Sequence, residues 1–193
     1  MNEEKEITPQ QKSLWKAFVK EIVIFILIAV CVVLPFRIFV AEPYIVSGPS
    51  MDPTFTTGDY LIVDKISYEI GNPKRNSVVI FKFPTNKSLN LIKRVIGLPG
   101  ETVSMLNGVV TIINAENPKG FVVPEPYLTH NQLDTFSVTL GSDEYYVLGD
   151  NRPVSYDSRS WGVLPRKDII GRPVLRLFPI NEIGALPGDA TSK

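Results

Sequence analysis

The stretch "LNLIKRVIGL", residues 89–98, shows the alternation of a β-strand, in which successive side chains point to opposite faces of a sheet. One face is aliphatic except for a single lysine and comprises Leu89, Leu91, Lys93 and Val95. The other face is mixed and comprises Asn90, Ile92, Arg94 and Ile96. A lysine packed among aliphatic groups is desolvated, which disfavours its charged form and lowers its pKa. A lysine on an edge strand can instead extend its ammonium group to solvent, and the pattern leaves both interpretations open.

The rest of the chain from residue 42 onward has the same β character. Short runs such as "DYLIVDKISYEI", "SVVIFKF", "GVVTII" and "FSVTL" are rich in Val, Ile, Tyr and Phe, and Gly, Pro, Asn and Asp separate them. This pattern predicts a mainly β protein with a coiled antiparallel, barrel-like sheet. We assign the β core to residues 42–101 and 145–182, a smaller β insertion to 102–144 and a frayed tail to 183–193.

An apolar segment precedes this β region. Residues 22–36, "IVIFILIAVCVVLPF", contain no charge, and "RIFVA" extends the segment to residue 41. A membrane-spanning helix needs about 20 mostly apolar residues, so the sequence predicts one N-terminal transmembrane helix over residues 18–41. A cleaved signal peptide is the alternative, but the segment is rich in bulky Ile and Val and lacks a clear small-x-small cleavage site.

The charges that flank the apolar segment predict its orientation. Only Arg37 closely follows the segment, whereas four lysines precede it, Lys5, Lys12, Lys16 and Lys20. Cytoplasmic flanks carry the excess of Lys and Arg. We therefore expect residues 1–17 to be cytoplasmic and the chain after about residue 42 to lie on the outer face of the cell membrane.

Composition excludes several functional classes. The 193-residue chain has a formal net charge of +0, so nothing indicates a nucleic-acid partner. Its one cysteine, Cys31, cannot form an internal disulfide, and its one histidine, His130, lies in the polar stretch "YLTHNQLDTF". A metal site made of several His and Cys side chains is thereby excluded, and a Ser-His-Asp triad would have to use His130. We predict that His130 is an exposed loop residue.

A candidate nucleophile lies in "IVSGPSMDPTF", residues 45–55. Pro49 and Pro53 bracket Ser50, and because proline fixes its own φ and restricts the preceding residue, the serine sits on a stiffened bend. A turn that merely contains a serine is the simpler interpretation. A neutral Lys93 amine, however, could accept a proton from the Ser50 hydroxyl, which is the Ser-Lys form of nucleophile activation.

A third cluster is the polar loop in "YYVLGDNRPVSYDSRSWG", residues 145–162. Its polar side chains are unusually dense and comprise Asp150, Asn151, Arg152, Ser155, Asp157, Ser158 and Arg159. Such density predicts a hydrogen-bonded network that could orient a lysine amine, although a long structural turn remains an alternative.

These clusters together resemble the type I signal peptidases, membrane-anchored serine proteases that remove signal peptides from exported proteins. The matching boxes occur in the order of the family: "SGPSMDPT" (47–54), "GDYLIVDK" (58–65), "LIKRVIGLPGE" (91–101) and "GDNRPVSYDSRSWG" (149–162). The resemblance covers about residues 15–180. The short chain with one apolar segment is most similar to the compact Gram-positive form.

The resemblance implies a role for individual residues. Ser50 matches the nucleophile and Lys93 the general base. The implied supporting residues are the lysine-orienting Ser155, the ion pair of Asp157 and Arg159, and the loop residues Asp150 and Asn151. The implied lining of the substrate pockets is Tyr44, Val46, Met51, Phe55 and Ile92. The resemblance also implies a β catalytic core with a smaller β insertion.

The sequence departs from the family pattern at three places. Some members have a hydroxyl residue where this chain has Gly48, so we expect backbone N–H groups of Ser50 and Gly48 to hold the oxyanion, since Pro49 has no N–H. Pro153-Val154 replaces residues that are commonly polar, and Ser47 replaces a proline of some members.

The predicted function is cleavage of preproteins after small residues, at Ala-x-Ala-like sites, through an acyl-enzyme. Neither a metal nor another cofactor is implied, and the expected partners are preprotein signal peptides and the lipid bilayer. Two alternatives stay open. One is a catalytically silent homologue that binds exported chains, and the other is a self-cleaving Ser-Lys regulator.

Overall fold

The structure, a computed structural model, describes residues 9–33, 41–130 and 132–188. Two compact units divide the chain, Met1–Val40 and Ala41–Lys193. The described part of the first unit is helix α1 (Pro9–Ile28) followed by one turn of π-helix (Ala29–Val33). Apolar side chains of α1, among them Phe18 and Phe25, are exposed.

The predicted transmembrane helix is only partly covered by the structure. Within the described residues, no helix combines the length and the apolar character that a membrane crossing requires. Residues 34–40 of the predicted span lie outside the described residues. The membrane-spanning helix over residues 18–41 therefore stays a prediction.

The described part of the second unit contains twelve strands and a few helical turns. The strands are β1 (Ala41–Ile45), β2 (Tyr60–Asp64), β3 (Val78–Phe83), β4 (Asn86–Gly97), β5 (Thr102–Leu106), β6 (Val109–Ile113), β7 (Phe121–Val122), β8 (Phe136–Thr139), β9 (Glu144–Leu148), β10 (Leu164–Pro165), β11 (Ile169–Phe178) and β12 (Gly184–Ala185). The helices are α2 (Ile66–Ile70) and α3 (Ser158–Trp161), with 3-10 turns at Arg152–Val154, Arg166–Asp168 and Ile180–Glu182.

The larger sheet is antiparallel and open. Among the described residues it has eight strands, in the order β1-β2-β11-β3-β4-β9-β10, with β12 paired to β11. The prediction of a mainly β, antiparallel fold is confirmed, but the barrel-like closure is wrong. Closure would require β1 to pair with β10, but among the described residues β1 pairs with β2 and β10 pairs with β9. Register shifts interrupt the pairing of β11 with β2 and its pairing with β3, and such irregularities bend a strand and increase its local twist.

The smaller sheet lies within residues 102–144, the segment predicted as an insertion. Its four strands in the described part of the chain follow the order β7-β6-β5-β8. A shared apolar core joins it to the larger sheet, because Ile96 and Leu148 of the larger sheet pack with Val103, Met105 and Ile112 of the smaller one. Burial of such side chains is the main favourable contribution to folding.

Strand β4 has two different neighbours along its length. It pairs with β3 from Asn86 to Arg94, but β9 pairs with it only from Arg94 onward. One edge of β4 before Arg94 is therefore left without a strand partner among the described residues. This free edge faces the candidate site.

The described residues of the predicted frayed tail, up to residue 188, make hydrogen bonds to the rest of the unit. Gly184 and Ala185 pair with β11, and the Leu186 N–H donates to the Val174 carbonyl at 2.9 Å. The Gly188 carbonyl accepts a 2.6 Å hydrogen bond from the buried Arg94. These backbone hydrogen bonds hold residues 184–188 on the sheet, and the residues after 188 lie outside the described part.

Candidate active site

Ser50 lies on a tight turn that begins just after β1. The Val46 N–H donates to the Asp59 carbonyl at 2.9 Å, and the Asp52 N–H donates to the Pro49 carbonyl at 3.2 Å. Gly48 has φ +93°, a left-handed conformation that glycine adopts without strain. A residue with a side chain is disfavoured in this conformation.

Lys93 reaches this turn from β4. Its Nζ lies 2.7 Å from Ser50 Oγ and also donates to the Ile92 carbonyl at 2.9 Å. The Lys93 residue is 3% exposed, so the desolvated interpretation of the alternating pattern holds and the solvent-extended one does not. Burial lowers the Lys93 pKa from 10.5 to about 8, although the nearby charges of Asp157 and Asp150 raise it in part.

Asp157 and Arg159 form the predicted ion pair in the polar loop. Arg159 Nε donates to Asp157 Oδ1 and Arg159 Nη2 to Asp157 Oδ2, both at 2.8 Å. Asp157 Oδ2 also accepts the Gly149 N–H at 3.0 Å. The carboxylate therefore fixes the start of the loop as well as the arginine.

Asn151 ties the polar loop to the turn that carries Ser50. Its backbone N–H donates to the Ser50 carbonyl and its side-chain Nδ2 donates to the Pro49 carbonyl, both at 3.1 Å. Gly149 stands at the same contact, because a Cβ there would collide with the Ser155 side chain and with the Ser50 carbonyl oxygen. Only glycine allows this close approach of the two segments.

Ser155 is placed at the site but without the predicted hydrogen bond. Its Oγ is buried and has no partner among the described residues. The amine of Lys93 is directed instead toward Ser50 Oγ and the Ile92 carbonyl. The predicted orienting contact from Ser155 to Lys93 is therefore not formed in this structure.

Asp150 takes part in a buried ion pair that the sequence did not indicate. Arg94 donates to both of its carboxylate oxygens, at 2.8 and 2.6 Å, and Thr54 Oγ1 donates to Oδ2 at 2.6 Å. Arg94 was predicted only to share a mixed strand face. Alternation places it beside Ile92, but its carboxylate partner is 56 positions away in the chain.

A cavity of about 110 Å³ opens beside Ser50 and Lys93. Its other lining residues are Tyr44, Ile45, Val46, Ser47, Leu61, Ile80, Asn90, Leu91 and Ile92. Burial, followed by the charge of Glu42, raises the pKa of Tyr44 to about 12, so its hydroxyl is neutral. The cavity is thus bounded by the end of β1 on one side and the free edge of β4 on the other.

Three of the predicted lining residues line this cavity, and two do not. Tyr44, Val46 and Ile92 line it, whereas Met51 and Phe55 are fully buried beneath the turn with Leu61 and Val78. The Phe55 N–H donates to the Met51 carbonyl at 2.9 Å, which closes the turn that links these two buried residues.

Sequence reasoning missed Leu61 and Ile80 as lining residues. Ile80 lies directly opposite Ile92 in the β3–β4 pairing. Without that register, nothing in the sequence distinguishes Ile80 from the other apolar residues of its strand.

The backbone amides of the turn differ in their partners. The Gly48 N–H, predicted as an oxyanion donor, already donates to Thr57 Oγ1 at 3.1 Å. The Ser50 N–H donates to none of the residues that the structure describes. Among these same residues, no three His, Cys, Asp or Glu side chains are grouped so that they could hold a metal ion.

The fold and the site define a mainly β protein in which a serine and a buried lysine are in contact beside a small cleft. The chain belongs to the signal peptidase family, peptidase S26, whose sequence model matches residues 19–178. This membership confirms the resemblance and makes the chain a serine peptidase of that family. Signal peptidase I of Leptolyngbya laminosa is 41% identical over 167 residues, which cover 82% of this chain and 79% of the relative. Signal peptidase I of Bacillus licheniformis is 37% identical over 195 residues, which cover 95% and 98% of the two chains. A crystal structure of a signal peptidase I from Enterococcus faecalis is 31% identical and covers 53% of this chain and 97% of its own, with a TM-score of 0.46.

Proposed function

We propose that the protein is a membrane-anchored endopeptidase that removes signal peptides from exported preproteins, with Ser50 as nucleophile and Lys93 as general base. The observation that carries this proposal is the 2.7 Å contact between Lys93 Nζ and Ser50 Oγ. Burial of the lysine provides the chemistry, because a pKa of about 8 leaves a useful fraction of the amine neutral near neutral pH.

The proposed reaction is acyl transfer. The neutral Lys93 amine takes the Ser50 proton while Oγ attacks the scissile carbonyl carbon, and the carbonyl oxygen becomes an oxyanion that the free Ser50 N–H can bind. Lys93 then returns the proton to the leaving amine of the mature protein. In the second half, Lys93 accepts a proton from a water molecule that attacks the acyl carbon, and it gives this proton back to Ser50 Oγ as the signal peptide leaves.

The shape of the cleft supports an extended peptide with small side chains. An extended substrate can pair with free strand edges, where the main chain supplies affinity and small pockets supply specificity. The end of β1 and the free edge of β4 offer such edges on the two sides of the cavity. Because the cavity measures only about 110 Å³, we propose that it accepts small residues as in Ala-x-Ala sites.

The proposed location is the cell membrane, with the N-terminus cytoplasmic and the peptidase unit on the outer face. Support comes from the uncharged stretch of residues 22–36 and from the lysines that precede it. The peptidase unit also exposes apolar side chains around the end of β11, namely Leu177, Phe178, Ile180, Ile183 and Leu186. An exposed apolar patch of this kind suits contact with a lipid surface. Alkaline extraction of membranes from cells that express the full chain tests the anchor, which predicts that the protein stays in the membrane fraction.

Cleavage of a purified preprotein by the full chain in detergent tests the activity. The variants are Ser50→Ala and Lys93→Ala, and the matched controls are Ser142→Ala and Lys119→Ala, which alter an exposed serine and an exposed lysine. We expect wild type and both controls to release a mature protein whose new N-terminus follows a small residue, and we expect both site variants to leave the precursor intact.

The other outcomes separate the alternative functions. Binding of the precursor without cleavage by wild type would support the silent homologue. Fragments of the protein's own chain, with an intact precursor, would support the self-cleaving regulator. Full activity of either site variant would refute the proposed pair.

A further inference from the structure

One segment of the smaller sheet extends to the polar loop of the site. We call residues 123–134 the buttress segment, of which residue 131 is not described. The segment is attached at both ends to the β5–β6 hairpin. At its start the Val123 N–H donates to the Val110 carbonyl at 3.0 Å, and at its end the Asp134 carbonyl accepts the Gly108 N–H at 3.3 Å.

Glu125 of the buttress segment contacts the loop through Arg152. The two oxygens of Glu125 accept hydrogen bonds from the two terminal nitrogens of the Arg152 guanidinium, and the Tyr127 hydroxyl donates to the same carboxylate at 3.0 Å. Arg152 Nε donates to the Gly149 carbonyl at 3.0 Å. Since Gly149 abuts the Ser50 carbonyl, Glu125 is connected to the nucleophile turn through two residues, Arg152 and Gly149.

Two more residues of the segment reach two more arginines. The ring of Tyr127 lies under the Arg94 guanidinium, with Cζ 3.9 Å from the ring centre. Asp134 Oδ2 accepts a 2.8 Å hydrogen bond from Arg159 Nη1. Arg94 and Arg159 are in turn the partners of the two carboxylates near Lys93, Asp150 and Asp157.

We propose that the buttress segment is a positioning element for the Ser50–Lys93 pair, acting through Arg152, Arg94 and Arg159. This proposal rests on the proposed function. The smaller sheet then has a role in catalysis without touching substrate, because none of the residues that line the cavity belongs to it. Glu125 fixes the place of Gly149 against the nucleophile turn, and Asp134 adds negative charge to the Asp157–Arg159 pair.

The charge of Asp134 affects the pKa of Lys93 through the charged groups that surround the amine. The charged groups near its amine are Asp150 and Asp157 with their arginine partners, while β3 places the uncharged Val79 opposite it. Removal of the Asp134 charge makes the Asp157–Arg159 pair less negative. The charged form of Lys93 then loses some stabilisation, so its pKa falls further.

The experiment compares Glu125→Gln and Asp134→Asn in the full chain, with Glu116→Gln as the matched control. Glu116 is an exposed carboxylate in the β6–β7 loop of the same sheet. Each variant is measured for kcat and KM on a preprotein, for thermal unfolding, and for the titration midpoint of the Lys93 side chain by NMR, with the signal assigned by its loss in Lys93→Met.

We expect Glu125→Gln to lower kcat by about ten- to a hundredfold with KM nearly unchanged, because small displacements of reacting groups cost this much. We expect Asp134→Asn to move the Lys93 midpoint, and the pH at which kcat is half-maximal, to lower pH by a fraction of a unit. Glu116→Gln should match wild type in every measurement.

The proposal is overturned if both variants match Glu116→Gln in kcat and in the Lys93 midpoint, even if they unfold at lower temperature, because that result describes a purely structural segment. An inactive wild type would instead contradict the proposed function. The NMR midpoints would still test the positioning role in that case.

Discussion

The two faces of β4 each carry one buried basic side chain, and the two side chains differ in their bonding partners. Arg94, 1% exposed, donates to both oxygens of Asp150, to the Asn76 carbonyl at 2.7 Å and to the Gly188 carbonyl at 2.6 Å. Lys93, the preceding residue, is 3% exposed, and in the described part of the chain its amine hydrogen-bonds only the Ser50 hydroxyl and the Ile92 carbonyl. Arg94 is thus paired with a carboxylate, whereas no described carboxylate is bonded to Lys93.

This difference gives two adjacent residues of one strand different roles, a structural role for Arg94 and a chemical role for Lys93. A buried guanidinium stays charged, so it must be paired, and the pair fixes the geometry of the loop. A buried amine can lose its proton instead, and its pKa falls to about 8. The period-two alternation of the strand separates the Lys93 amine from the Arg94 guanidinium, because neighbouring side chains point to opposite faces.

The largest expected effect is the loss of activity in Lys93→Met. A general base contributes roughly 10²- to 10⁴-fold to a rate, and we expect preprotein cleavage to fall at least a thousandfold within that range. Single-turnover cleavage of a purified precursor measures the loss. Lys119→Met, at an exposed position of the β6–β7 loop, is the control. Cleavage by Lys93→Met within tenfold of wild type would contradict the role of the lysine as base.

The next effect concerns the other face, where Arg94→Met should destabilise the protein. Removal of one partner leaves the fully buried Asp150 carboxylate without its counter-ion, which costs about 3–5 kcal/mol. Urea unfolding of the full chain in detergent measures the free energy of unfolding. The double variant Arg94→Met with Asp150→Asn should recover part of the loss, because it removes the unpaired charge. Equal stabilities of the single variant and wild type would show that the pair does not stabilise the fold.

The same substitution that removes activity, Lys93→Met, should stabilise the fold. The pKa of Lys93 falls from 10.5 to about 8 on folding, and at about 1.4 kcal/mol per pKa unit the buried lysine costs about 3 kcal/mol at pH 7. Between pH 8 and 10.5 the unfolded wild type binds a proton that the folded state lacks, so wild-type stability rises with pH. The advantage of Lys93→Met should therefore shrink over that range in urea titrations at successive pH values. A pH-independent advantage would assign the gain to packing alone.

The sequence predicts the face of each cation but not the partner. Alternation places Lys93 among aliphatic neighbours, and the short β runs indicate an antiparallel sheet. The ion pair of Arg94 with Asp150 and the burial of Met51 depend on which distant segments meet, which strand patterns do not encode. The open sheet likewise depends on which strands pair at its two ends, β1 and β10, and the pattern within either strand does not encode this.

Local sequence also left the hydrogen bonds of the site undecided. Ser155 was matched to the lysine by its place in a motif, but the direction of the Lys93 amine follows from the Ile92 carbonyl and Ser50 Oγ. The Gly48 N–H donates to the Thr57 side-chain hydroxyl, nine positions further along the chain. Such contacts are settled by side-chain geometry within a few ångströms, which spacing along the chain does not determine.

The smallest effect tests how completely Arg94 pairs with Asp150. Thr54 Oγ1 donates the third side-chain hydrogen bond to this carboxylate, at 2.6 Å. Thr54→Val removes that bond but leaves both contacts from Arg94, so we expect a loss of about 1.5 kcal/mol in the free energy of unfolding, near the lower end for hydrogen bonds to charged groups. Thr135→Val, at an exposed position, is the control for the change of side chain.

The pH dependence of cleavage by Thr54→Val should stay that of wild type, because Asp150 keeps both hydrogen bonds from Arg94. A loss as large as that of Arg94→Met would show that the carboxylate depends on the hydroxyl as much as on the cation, and the contrast between the two faces of β4 would then rest on a network rather than on a single pair.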